Sequence, residues 1–228
     1  MGESARSIFE RFRALPRSEQ IATAFALDGI MRWAKRRPKG RALDYGYGLG
    51  TVSEAIRAVD VGRHQTVAER RPEFSEYATL FEHETTVEDD GDPGPPYAST
   101  TFVTSMARAI NYGPYALVVI DDAADTYDLG TLAMQGLASR AVIIFEGNRP
   151  CERGALTAML AHVGRPHVVA TWKPKDRSKG FSVALCDPTF TERVWFFAVR
   201  QREGLLDTIA RWRGIRPGFR RRDSDHTA

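Results

Sequence analysis

Residues 42–50 read Ala42-Leu43-Asp44-Tyr45-Gly46-Tyr47-Gly48-Leu49-Gly50: a short apolar run, an aspartate, then glycines at every second position. The apolar run is strand-like and residues 51–61 carry a helical pattern, so the glycines fall in a strand-to-helix turn. Such a turn brings bare backbone against a ligand only where side chains are missing. The dinucleotide-binding fingerprint places its third glycine one position later, where this chain has Thr51, so that match fails.

Outward from this turn, strand-like and helix-like segments alternate. Residues 65–68 read as a strand and 72–80 as a helix. Residues 116–120 and 141–145 are apolar runs of the kind buried on both faces of a parallel sheet, with a crossover helix expected over 127–138. Residues 88–99, rich in Asp, Gly and Pro, predict an exposed loop. A helix over 151–163 is followed by β-rich runs 167–172 and 181–186 on either side of a polar turn, an antiparallel pair. Residues 194–199 read as an apolar strand and 205–212 as an amphipathic helix, ahead of a basic tail at Arg220, Arg221 and Arg222 that is expected to be disordered. Upstream, Ile8, Phe9, Phe12 and Leu15, then Ile21, Phe25 and Met31, lie at helical spacing.

The organisation expected is therefore a helical extension over 1–40, an α/β domain over 41–200, and a C-terminal helix with tail over 201–228. The fold class is a doubly wound, mostly parallel seven-stranded sheet with an antiparallel final pair and N-terminal helices added.

The acidic residue and alternating glycines, Asp44 to Gly50, resemble the first motif of the class I S-adenosylmethionine-dependent methyltransferases. The resemblance spans residues 42–187. It implies that Asp44 holds the amino group of the cofactor's methionine part and that the glycines admit its backbone approach. Glu69, ending the second strand 25 residues after Asp44, is then the ribose acceptor. Asp121, ending the run Tyr115-Ala-Leu-Val-Val-Ile-Asp121, lies near cofactor and substrate. The candidate cofactor residues are Asp44, Tyr45, Gly46, Tyr47, Gly48, Gly50, Glu69, Arg70 and Asp121. Ligands of open α/β sheets sit outside the carboxyl ends of strands, so Asp44, Glu69, Asp121 and Glu146 should share one rim.

The residues from Ile120 to Tyr127 also resemble the metal-dependent, catechol-type O-methyltransferases. Asp121 fits their first metal ligand, but Ala124 stands near the place of their lysine, and Phe145-Glu146-Gly147-Asn148 replaces their Asp-Asn pair. Asp121, Asp122, Glu146 and Asn148 offer the hard oxygens magnesium wants; the altered spacing weighs against a metal, and none is assigned. The activity implied is methyl transfer from S-adenosylmethionine to a small-molecule hydroxyl. Asp122 is the candidate general base, with Glu146 or His167 as substitutes. The alternatives are a non-catalytic protein of the same fold that binds a cofactor or partner, and an NAD(P)-dependent oxidoreductase, against which the missing glycine at 51 argues.

Composition narrows the class further. With 228 residues, 43% of them hydrophobic, the chain can bury one large core. The net charge of +3 comes from arginines at the two ends, a poor footprint for nucleic acid. Cys151 and Cys186 have no paired spacing and read as reduced thiols. No stretch approaches the roughly 20 apolar residues of a membrane span, and the expectation is a cytoplasmic protein, with a homodimer allowed.

Overall fold

The computed structural model describes residues 3–18, 21–36, 40–60, 62–70, 85–87, 100–147, 149–176 and 179–212. The expected helix at 72–80, the loop at 88–99, Asn148 and the tail lie outside them.

Eight strands form one sheet among these residues. They are β1 (Arg41–Tyr45), β2 (Gln65–Ala68), β3 (Thr85–Val87), β4 (Thr100–Val103), β5 (Tyr115–Ile120), β6 (Leu137–Glu146), β7 (His167–Trp172) and β8 (Phe181–Cys186), in the order β3-β4-β2-β1-β5-β6-β8-β7. Seven of them, β4-β2-β1-β5-β6-β8-β7, are parallel except for β8, as the expected fold class requires, but β4 is not among the strands read from the sequence and stands in the count where residues 194–199 are expected; the three residues of β3 add a further parallel edge strand beside β4.

Alternation along the central strands sorts the side chains onto two faces. Ala42, Leu117, Val119, Val142, Ile144 and Val183 face one core, with Ile8 and Phe12 of α1 (Ala5–Arg13), Leu27 and Ile30 of α2 (Ala24–Arg36), and Val52 and Ile56 of α3 (Thr51–Arg57). Leu43, Val118, Ile120, Ile143 and Phe145 face the other. Against them pack Met106 of α4 (Met106–Ala109), Leu129 of α5 (Thr126–Thr131), and Leu156 and Leu160 of α6 (Pro150–His162). The β5 side chains are buried at all six positions, as a strand covered on both faces requires. No helix among the described residues is long and apolar enough to cross a membrane.

Two expectations are corrected. The crossover helix ends early: α5 runs into a π-helical segment at Leu132–Gly136, and β6 starts at Leu137 rather than 141. At Gly136 a side chain would meet Ile110 Cδ1 at 2.5 Å and Leu132 Cδ1 at 2.9 Å, so the chain turns into the strand where no Cβ stands in the way. Residues 194–199 are not a strand but part of α7 (Phe190–Trp212). Thr189 and Glu192 form a reciprocal cap there: Glu192 N donates to Thr189 Oγ1 (3.3 Å) and Thr189 N to Glu192 Oε2 (2.8 Å), which starts a helix through the β-prone Val-Trp-Phe-Phe run.

Because α1 shares its core with the sheet, truncating Phe12 should destabilise the whole unit. Phe12→Ala is expected to cost about 3–5 kcal/mol in a single cooperative urea transition followed by tryptophan fluorescence. A separate early transition would instead mean that the N-terminal helices fold as a detachable piece.

Candidate active site

The order β2-β1-β5 places successive strands on opposite sides of β1, so a crevice opens at the carboxyl ends of β1 and β5. The glycine turn lines it. Gly46, Gly48 and Gly50 all have positive φ (95°, 53° and 86°). At Gly46 a Cβ would stand 2.4 Å from Asp122 Cβ and 2.7 Å from its backbone nitrogen. The two strand ends are therefore in direct backbone contact, and Tyr45 O accepts from both Asp121 N (2.8 Å) and Asp122 N (3.2 Å). At Gly48, by contrast, a Cβ would meet nothing within 4 Å: this backbone faces open space.

Asp44 is wholly buried beneath the turn. Its Oδ2 accepts from Ser53 Oγ at 2.6 Å, while Oδ1 has no hydrogen-bond partner. Burial above all, and then the Glu69 charge, push its carboxyl up to about 7, against the Ser53 hydrogen bonds that favour the anion. Glu69, also buried, accepts from Gly48 N at 3.1 Å, tying the end of β2 to the turn.

The carboxyl ends of β5 and β6 carry a second acidic group. Glu146 is buried and its Oε1 is without a partner. Asp121 is raised well above the usual carboxylate range, chiefly by burial and then by Glu146 and Asp44, with Arg149 opposing. Arg149 clamps this corner: Nη2 donates to Asp121 O, Nε donates to Glu146 O at 3.0 Å, and the guanidinium lies 3.8 Å from Asp121 Oδ1. On the other side Arg70 donates to Ala123 O and approaches Asp122 Oδ2 at 4.0 Å.

Most of the expected residues thus meet on one rim, with three changes. Tyr45 points to the opposite sheet face, where its hydroxyl donates to Asp128 Oδ2 at 2.7 Å. Tyr47 is buried edge-on against Phe102 beneath Gly50, and its burial pushes the phenol strongly up. Both shape the turn rather than face its open side. His167 is not brought to the rim at all. It pairs with Cys186 at the start of β7, and β7 runs parallel to β6, so His167 lies at the opposite end of the sheet. As for a metal, the described residues contain no group of three or more His, Cys, Asp or Glu side chains arranged to hold one, and Arg149 already supplies positive charge beside Asp121.

Three contributors carried no readable sequence signal. Ser53 and Arg149 act through contacts that only the fold creates. Lys179, in the turn between β7 and β8, lays its ammonium 3.7 Å from where a Cβ of Gly147, the residue after Glu146, would stand.

No family model matches the chain, and no curated protein matches its sequence. Solved structures do share its fold. An O-methyltransferase from Streptomyces achromogenes, solved with S-adenosylmethionine, is 18% identical, with 82% of this chain and 92% of that one covered at a TM-score of 0.55. An O-methyltransferase from Bacillus cereus, solved with S-adenosylhomocysteine, is 12% identical, with 80% and 90% covered at 0.57. A precorrin-6y C5,15-methyltransferase from Geobacter metallireducens is 15% identical, with 73% and 90% covered at 0.53. The architecture is thus that of the S-adenosylmethionine-dependent methyltransferases.

Two outcomes follow from this geometry. Gly46→Ala combines a forbidden φ with a backbone clash and should cost at least about 2–3 kcal/mol, read from denaturant midpoints. Asp44, whose carboxyl is raised on folding, binds its proton more tightly in the folded chain. Its effect is therefore stability lost as pH rises from about 4 to about 7. Asp44→Asn should flatten that part of the melting-temperature profile in the ligand-free protein.

Proposed function

We propose that the chain is an S-adenosylmethionine-dependent methyltransferase acting on a hydroxyl of a small molecule. The observation that carries this reading is the Asp44 turn: a buried carboxylate with one oxygen unpartnered, under a glycine backbone that opens onto the crevice at Gly48. A ligand with a cationic amino group next to that crevice satisfies the orphaned oxygen and restores the ionised form of Asp44. Glu69 is placed to exchange its contact with Gly48 N for ribose hydroxyls, and Asp121 lies beside the same space. The cofactor's chemistry is the supply of an electrophilic methyl group on a sulfonium.

The remaining work belongs to the chain's own side chains. Methyl transfer to a hydroxyl needs alignment and removal of one proton. Glu146 and Asp122 are the proton acceptors at the rim; Glu146 is the better placed for a desolvated acceptor, being buried with a free oxygen. Lys179 stands on the same side and would stabilise an oxyanion. The hydroxyl as acceptor is supported by the O-methyltransferases among the proteins sharing the fold, and the small-molecule class by the burial of Asp44 and Glu146.

Calorimetric titration tests the donor. S-adenosylmethionine and S-adenosylhomocysteine should bind, with affinity rising up to tenfold per pH unit towards pH 7 and levelling above it, because only ionised Asp44 pairs with an ammonium. Asp44→Asn should weaken binding more than tenfold. Preference for NADH over both ligands would sink the reading. With an acceptor in hand, Glu146→Gln is expected to lower kcat at least 100-fold while leaving donor affinity within a factor of three. Donor binding with no turnover on any hydroxyl acceptor would reduce the protein to a binder.

A further inference from the structure

The outer edge of the sheet carries a surface that methyl transfer does not use. β7 ends the sheet and pairs with β8 at all six positions without a register shift. On its other side, no group among the described residues bonds to the β7 backbone. Alternate residues of an antiparallel edge strand turn both N–H and C=O outward, so β7 presents a row of unpaired donors and acceptors about 20 Å long. Its sequence His-Val-Val-Ala-Thr-Trp contains no proline and no acidic, lysine or arginine side chain to blunt that row.

A cleft of about 730 Å³ follows this edge, with Arg153 of α6 on one wall and Arg193, Phe197 and Arg200 of α7 on the other. Leu156 and Leu160 of α6 belong to one core and Phe196 of α7 to the other, so the two helices flank the strand from opposite faces of the sheet. The edge lies open between them: five of the six β7 residues are half-exposed, whereas β8 is buried throughout. Lys173, just past the end of β7, donates to Asp207 at 2.8 Å. Arg193 to Asp207 is about 21 Å of helix, the length of the strand, so α7 runs alongside β7 in the same direction. Arg193 and Arg200 therefore stand beside the first and middle residues of the edge.

The arginines select the occupant. Arg153 Nη1 donates to Thr171 Oγ1 (2.9 Å) and Ser182 Oγ (2.8 Å), two hydroxyls that hold its guanidinium at the cleft without neutralising it. Arg193 Nε meets only a carbonyl, Pro188 O at 3.3 Å, and Arg200 meets no acceptor among the described residues. A regular edge with unpaired backbone takes another extended backbone, and guanidinium groups without carboxylates take acidic side chains carried on it. The chain's own residues 213–228 hold five arginines against two aspartates, the wrong sign for this cleft. A second copy offering its β7 would bring its α6 and α7, with the same arginines, against those of the first.

We infer that the edge of β7, between α6 and α7, binds an extended acidic segment of a partner protein, which joins the sheet as a further strand. The inference is independent of the methyl-transfer reading. Fluorescence anisotropy on the full chain tests it, with a labelled decapeptide of alternating valine and glutamate as the probe. The peptide binds saturably and slows hydrogen exchange at the β7 amides. Its valine–lysine counterpart, and the same acidic peptide N-methylated throughout its backbone, each bind weaker by about tenfold or more. Arg200→Glu, an exposed substitution that retains far-ultraviolet circular dichroism, weakens the acidic peptide by a similar factor, and Arg193→Glu with Arg200→Glu favours the lysine peptide instead. No binding by the wild type, or equal binding of the acidic, lysine and N-methylated peptides, overturns the inference. So does protection of β7 amides that rises with protein concentration alone, which assigns the edge to a second copy. Binding that appears only once residues 213–228 are removed also overturns it, for then the chain's own C-terminal segment fills the cleft.

Discussion

The contact of Gly46 with Asp122 is the constraint on which the site depends. With a Cβ position only 2.4 Å from Asp122 Cβ, the first glycine lets the end of β1 lie directly against the end of β5, and the two amides donated to Tyr45 O fix that approach. Everything polar is disposed around this seam. Asp44 is carried beneath it on β1, Asp121 beside it on β5, and the turn to Gly50 is thrown outward over α3. A side chain at position 46 would part the strands and scatter the carboxylates that the seam gathers. A glycine that appears to serve a ligand thus first serves the sheet, while Gly48, with open space about it, is the one free to serve a ligand.

Gathering these carboxylates is unfavourable in itself. Asp44, Glu69, Asp121 and Glu146 are all largely buried and repel one another, which raises Asp44 and Asp121 alongside the larger cost of desolvation. The chain offsets this with Arg149, which spans the ends of β5 and β6, with Arg70, which reaches from the end of β2 to the loop after β5, and with the amide of Gly48 on Glu69. Two carboxylate oxygens, Asp44 Oδ1 and Glu146 Oε1, remain without hydrogen bonds. Buried acceptors left in that state are costly, and a polar or cationic ligand removes the cost. The local instability and the proposed binding role are two descriptions of one arrangement.

The Asp44 turn was legible in the sequence because it is local. Asp44 and its glycines lie within seven residues, and the acid ending β2 follows from strand order alone. The corner at the ends of β5 and β6 was less so, because its parts come from distant segments: Arg149 precedes α6, Lys179 sits in the last hairpin, and neither has a spacing to read. His167 was misplaced for a related reason. A strand-end histidine looks eligible until the direction of its strand is known, and the first residue of a strand parallel to β6 lies at the wrong end. The run from Val194 to Val199 was misread because β-branched and aromatic side chains outweighed the Thr189-x-x-Glu192 cap five residues earlier, a signal present in the sequence and decisive in the structure.

The same division between local and distant extends to the methyl-transfer fold itself. Its first half, β1 to β5, gathers the glycine turn and the acids that end β1, β2 and β5. The second half, from β6 onward, completes the sheet and brings in Glu146, Arg149 and Lys179 from separate segments. Neighbours with 12–18% identity, one named for methylating carbon positions and two for methylating oxygen, share the whole architecture. On the reading proposed above, the buried Glu146 at the end of β6, with one carboxylate oxygen unpartnered, is the group suited to taking a proton from a hydroxyl.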